Sequence, residues 1–149
     1  MIYGTLTMAR QYAEAGRIDV WLQDFLRADG KNVALADGLL LEERHYFGLR
    51  EVPISLFSSI KSGAPEYLHE ANDIRYFFSV VDEMKVGLAD GWDAPPLIVE
   101  YVYGNFQVDD GRHRLETYRQ LGIEKVWAVV WTTGEENRKI VEKILEETL

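Results

Sequence analysis

The stretch "FQVDDGRHRLETYRQLGIEKVWAVVW", residues 106–131, decides the fold class. Phe106 to Val108 read as a strand, Asp-Gly makes a sharp turn, and a helix is predicted from about Arg112 to Leu121, ended by Gly122. Leu115, Tyr118 and Leu121 supply its apolar side. "KVWAVVWT", residues 125–132, is apolar at every alternation, the pattern of a central strand covered on both faces. Strand, turn, helix and strand in that order predict an α+β protein with a small mixed sheet flanked by helices.

The turn is dense in opposed charge: Asp109 and Asp110, then Gly111, then Arg112, His113 and Arg114. A helix start exposes unpaired backbone N–H groups and the positive end of its dipole, which holds an anion where the backbone is bare. Gly111 makes it bare, and an exposed first-turn Arg114 with Arg112 and His113 adds charge-assisted donors for a phosphate. One aspartate is expected to cap the helix, and the other to orient an arginine or, with ligand bound, a metal ion. Ordinary turn and cap chemistry with solvated arginines reads the same letters.

Outward from this turn, "LIVEYVYGNFQV" has the outline of a hairpin joined by Gly104-Asn105. A helix is predicted over 66–84, entered by Pro65, with Leu68, Ala71, Ile74, Phe78 and Val81 on one side. Thr133 and Glu136 stand at capping-box spacing before a stripe of Ile140, Val141, Ile144 and Leu145. Residues 5–28 predict two helices broken near Gly16, with Ile18, Trp21, Leu22, Phe25 and Leu26 buried. "EVPIS" reads as a short strand, edge-placed if Pro53 lies inside it, followed by a turn of helix. Residues 33–50 fit neither period, and "EERHYF" reads as a surface turn.

Composition limits the function classes. At 149 residues one core suffices, and the absence of cysteine removes disulfides, thiolate metal sites and cysteine nucleophiles. No signal pattern opens the chain and no apolar run approaches the roughly 20 residues of a membrane helix, so a soluble cytoplasmic protein without membrane association is expected. The net charge of −9 is concentrated in residues 51–100. The small basic cluster at 112–119 suits a nucleotide's phosphates, whereas duplex DNA is expected to bind weakly or not at all. His45, His69 and His113 show no zinc-ligand spacing, and phosphate-binding P-loop, dinucleotide and hydrolase-elbow motifs are absent. Trp127 and Trp131 read as core, while Trp92 and Tyr103 lie beside loops where a base can stack.

Three stretches, "VPISLF" at 52–57, "APPLIVEYV" at 94–102 and residues 106–131, together resemble the ParB N-terminal-like and sulfiredoxin superfamily over about residues 50–132. The shared order is a VP-containing strand, a helix, a PPI-type strand, a hairpin and a G-x-x-R turn opening a helix that ends in LG. The resemblance implies residues 49–149 as that domain and 1–48 as a helical extension packed on it. It implies phosphate binding by Gly111 and Arg114, with His113 matching the sulfiredoxin Gly-Cys-His-Arg turn and Arg112 standing at its cysteine. Without that thiol, sulfiredoxin redox repair is excluded. Partition-type members resemble a CTP-dependent clamp carrying a helix-turn-helix domain, for which no room is expected after residue 132. Members with nuclease-like or ADP-dependent phosphotransferase chemistry imply ATP, ADP or CTP with Mg2+ as ligands, and Glu51, Asp109 and Asp110 as candidate catalytic acids. A non-catalytic nucleotide or nucleic-acid binding module is the alternative.

Overall fold

The computed structural model describes residues 1–148. β4 (Lys125–Thr132) runs through the middle of a four-stranded sheet ordered β1-β4-β2-β3. Val126, Ala128 and Val130 enter one core while Val129 and Trp131 enter the other, which is why both alternations are apolar. β2 (Leu97–Val102) lies parallel to β4 and forms a hairpin with β3 (Asn105–Asp110). Its two-residue turn is Tyr103-Gly104, one position earlier than expected. Both residues have positive φ, 54° and 77°, the backbone that matches the twist of a tight hairpin.

β1 (His45–Pro53) pairs antiparallel with β4 and is an edge strand. It begins inside the segment expected to be a surface turn and spans residue 48, so His45 to Gly48 belong to the sheet. An irregularity between Tyr46 and Leu49, where Gly48 takes φ 73°, breaks the alternation that would have revealed the strand. Pro53 closes it opposite Lys125, where a missing N–H is tolerated.

α1 (Leu6–Glu14), α2 (Ile18–Arg27) and α3 (Val33–Leu39) cover one face of the sheet. Ile18, Trp21, Leu22, Phe25 and Leu26 are all buried there, against Ile98, Val129 and Trp131. The opposite face packs a 3-10 turn at Ile54–Phe57, α5 (Arg112–Gln120) and α6 (Glu135–Glu147), through Phe57, Leu115, Val141 and Leu145.

Three helix details depart from expectation. α4 (Ala71–Ala89) begins five residues beyond Glu66, because Pro65 is taken into a turn in which its carbonyl accepts from Leu68 N. It packs on α5 through buried Phe77 and Val81, so its apolar face is narrow. No capping box opens α6: Gly134 is its cap residue, and Thr133 Oγ1 accepts from Arg44 Nη1 at 2.6 Å. Leu121 and Ile140, both assigned to buried stripes, are exposed at the ends of those faces.

Trp21 is fully buried, stacks on Phe25 at 4.8 Å and donates from Nε1 to Tyr3 O. Trp21→Ala should therefore cost about 3–5 kcal/mol in chemical denaturation, by lost transfer energy and the cavity left behind.

Candidate functional site

The site is built where β3 meets α5. Ile98 pairs with Asp110 and Val99 with Val108, so Asp109 is the extra residue of a bulge. That bulge sends the two aspartates to different partners. Asp109 Oδ2 accepts from Trp131 Nε1 at 2.9 Å, on the sheet face covered by α1–α3. Burial and then the nearby Glu100 carboxylate push its pKa up to about 7, with Asp110 adding slightly and the Trp131 hydrogen bond opposing. Glu100 is itself raised by burial and held back by Arg44. Asp110 turns instead to Arg114, Oδ2 to Nη2 at 3.2 Å.

Neither aspartate caps α5, contrary to expectation. Gly111 is the cap residue, with φ 116° and no side chain accepting from the first turn. A Cβ at Gly111 would lie 2.6 Å from Leu97 Cδ2 and 2.9 Å from Arg114 Nη2, so only glycine lets the guanidinium lie against the turn. Arg114 is not an exposed arginine: it is 8% accessible, donates from Nη2 to Pro96 O as well as to Asp110, and its Nε has no protein acceptor. Arg112 and His113, which precede it in the first turn, are both half-buried. His113 stacks on Phe77 at 4.5 Å, and burial, then Arg114 and Arg112, lower its pKa, favouring the neutral ring.

Arg112 and Tyr67 border two adjoining clefts. One, of about 330 Å³, contains Lys61, Asn105 and Gln107; the other, of about 200 Å³, contains Leu68, Tyr76, Phe77 and His113. A larger cleft, about 730 Å³, runs beside β1 and contains none of the expected site residues. Glu51 is exposed on β1, the opposite edge of the sheet from β3. Three strand spacings, about 14 Å, separate those edges, so the sheet does not bring Glu51 to the aspartates. Trp92 packs beside Gly87 and Tyr103 sits at the hairpin tip, neither in these clefts. Trp127 is half-buried beneath Arg10, whose guanidinium lies 4.5 Å from its ring centre.

Two supporting residues escaped the sequence reading. Glu116, 7% accessible, accepts from Gly63 N at 2.7 Å and Gln120 Nε2 at 2.9 Å, tying the 63–70 loop to α5 beside Arg112. Arg44 donates to Gly38 O, Leu39 O and Thr133 Oγ1 while lying over the Trp131 ring. No periodicity marks either, since each is a polar residue held in place by hydrogen bonds. Among the described residues no three His, Asp or Glu side chains are grouped to hold a metal ion, and no helix is long and apolar enough to cross a membrane.

No family model and no curated protein matches this chain. Among solved structures it is similar to one described as the C2221 form of a Pnob8-like ParB-N domain, at 17% identity and a TM-score of 0.39. The match covers 66% of this chain and 34% of that one. This chain thus spans about a third of the length of that neighbour.

Asp109 supplies a test of the bulge. A carboxyl with a raised folded pKa binds its proton more tightly when folded, so its contribution to stability is present near pH 4 and declines as pH rises through about 7. The depressed His113 works in the other direction near its ordinary range, which makes the difference between two proteins the informative quantity. Asp109→Asn keeps an acceptor for Trp131, and should gain stability relative to the parent between pH 5 and 8 in urea titrations.

Proposed function

We propose that this chain is a nucleotide-binding domain that takes the ligand's phosphates at the start of α5, acting as a binding module. The observation that carries this reading is the Gly111 turn. Its first-turn amides have no side-chain cap, Arg112 and His113 flank them, and the Arg114 guanidinium lies directly beneath. Anions are held at such helix starts by backbone donors and the dipole together. The G-x-x-R resemblance to the ParB N-terminal-like superfamily agrees with the position, although Arg114 supports the turn from inside while Arg112 is the reaching side chain.

Binding is favoured over nuclease-like or phosphoryl-transfer chemistry because the three expected acids are diverted. Asp109 serves Trp131 across the sheet, Asp110 holds Arg114, and Glu51 lies on the far edge. ATP, ADP and CTP share the phosphates that fit the turn, and Mg2+ fits as an ion carried mainly by those phosphates. The same balance of charge disfavours duplex DNA, which needs a track of basic side chains rather than one turn.

Arg112→Ala should weaken ATP, ADP or CTP binding about tenfold to a hundredfold, the loss of one charge-assisted hydrogen bond, without lowering the melting temperature. Isothermal calorimetry with and without Mg2+ checks it, and equal affinity in parent and variant rejects the turn as the phosphate site. Arg114→Ala should instead destabilise the fold by roughly 2–3 kcal/mol, because it leaves Asp110 and Pro96 O without their donor. Thermal and urea unfolding distinguish these two arginines.

A further inference from the structure

The 200 Å³ cleft beside Arg112 is lined by aromatic side chains. One wall is the 63–70 loop, presenting Tyr67 and Leu68 and held down by buried Pro65 and by the Gly63–Glu116 hydrogen bond. The other wall is the first two turns of α4, where Asp73, Tyr76 and Phe77 fall on one side at spacings of three and four. His113, stacked on Phe77, lies at the base. Tyr67 and Tyr76 remain 74% and 69% accessible, so they add little to the core while facing a common cleft. At about 200 Å³ the space is below the range of drug-sized pockets and suits a single ring system.

We infer that this cleft is a nucleobase slot, selective for adenine and cytosine over their oxo counterparts, in which Tyr67 and Tyr76 stack on the base and Asp73 accepts from the amino group. The inference rests on the phosphate reading of the Gly111 turn and adds the ligand's other end. Continuity of the two clefts is its geometric support: Arg112 and Tyr67 border both, so a ring between the tyrosines has its phosphates beside Arg112 and directed toward Lys61. Lys61 is available, because its contact with Glu66 at 3.4 Å is a solvent-exposed ion pair that an anion readily replaces. Aromatic faces accept every base, so stacking alone gives affinity without choice. Asp73 supplies choice. A carboxylate only accepts, and therefore pairs with the amino group on C6 of adenine or C4 of cytosine and opposes the carbonyl oxygen that hypoxanthine or uracil presents at the same ring position. Asp73 is outside the ion pairs of this region, which join Lys61 to Glu66 and Lys85 to Asp82.

The test uses the full chain and calorimetry with ATP, ITP, CTP, UTP and inorganic triphosphate. ATP should bind at least tenfold more tightly than ITP, CTP likewise more tightly than UTP, and inorganic triphosphate more weakly than ATP or CTP. Tyr76→Ala should weaken ATP about tenfold while leaving inorganic triphosphate within twofold, and Tyr67→Ala should do the same. Asp73→Asn, whose amide both donates and accepts, should bring each amino and oxo pair to within about threefold. All three positions are exposed, so unchanged melting temperatures verify the fold. Inorganic triphosphate binding as tightly as every nucleotide, with no effect of the tyrosines, overturns the slot and leaves the phosphate site standing. Discrimination that survives Asp73→Asn overturns Asp73 as the reader of the amino group. Loss of triphosphate binding in the parent overturns the phosphate reading, and the slot falls with it.

Discussion

The Arg114 guanidinium, buried beneath Gly111, is the constraint on which the site depends. It joins three parts of the chain: the entry to β2 through Pro96 O, the end of β3 through Asp110, and its own helix, α5. Burying a charge costs several kcal/mol unless a partner and hydrogen bonds offset it, and removing one partner leaves the other stranded. The sequence around 109–114 meets that requirement locally. Asp110 is four residues from Arg114, and Gly111 removes the Cβ that would collide with the guanidinium. Much of the opposed charge that marks this helix start is therefore internal to the turn, and Arg112 is the residue left to reach outward.

The rest of α5 follows the same logic. Arg114, Glu116 and Thr117 are buried beside Leu115, so this helix is fixed by directed polar contacts as much as by an apolar stripe. Glu116 reaches the 63–70 loop, Thr117 Oγ1 reaches the carbonyl of His113, and Arg119 reaches Phe57 O. Each bond is individually modest, about 1 kcal/mol net or more where a charge is involved. Collectively they orient the elements bordering the clefts. On the other sheet face, the bulge at Asp109 links the same turn to Trp131, whose ring lies against Arg44 and so against the end of α3. The helices of the N-terminal segment are thereby connected to the turn through side-chain contacts as well as through the sheet.

These contacts explain what was legible in the sequence. Apolar periodicity located β4, the hairpin and the buried face of α2, because hydrophobic burial decides those elements. It found only the end of β1 at 51–53, because the irregularity at Gly48 interrupts the alternation before it, and it placed the start of α4 too early, because Pro65 is equally at home in a turn. The charged turn was legible in its letters, but the contacts of its residues were not. One-dimensional spacing puts Asp109 and Asp110 together; a bulge separates them. First-turn position makes an arginine look solvated; the Asp110 pair and the Pro96 carbonyl bury Arg114. Glu51 looked adjacent through its neighbouring VP motif, yet strand order places it on the other edge. In each case the missing information is a tertiary partner.

An anion site on a chain of charge −9 is physically consistent once distance is considered. At physiological salt the screening length is about 8 Å, so exposed acids elsewhere on the surface act weakly on a phosphate at Gly111. What a phosphate at the proposed site would meet at short range is the positive end of α5, Arg112 and, beyond Tyr67, Lys61. Asp110 is near, but its charge is opposed by Arg114 at 3.2 Å. A ligand as short as a nucleotide lies within this local field. A nucleic-acid duplex extends well past it, over a surface whose summed charge is repulsive, and gains from this turn only a few of the phosphate contacts that long-tract binding requires. On the proposed reading, the same arrangement of charge would favour a small phosphorylated ligand over a polymeric one, without any residue placed specifically to exclude the latter.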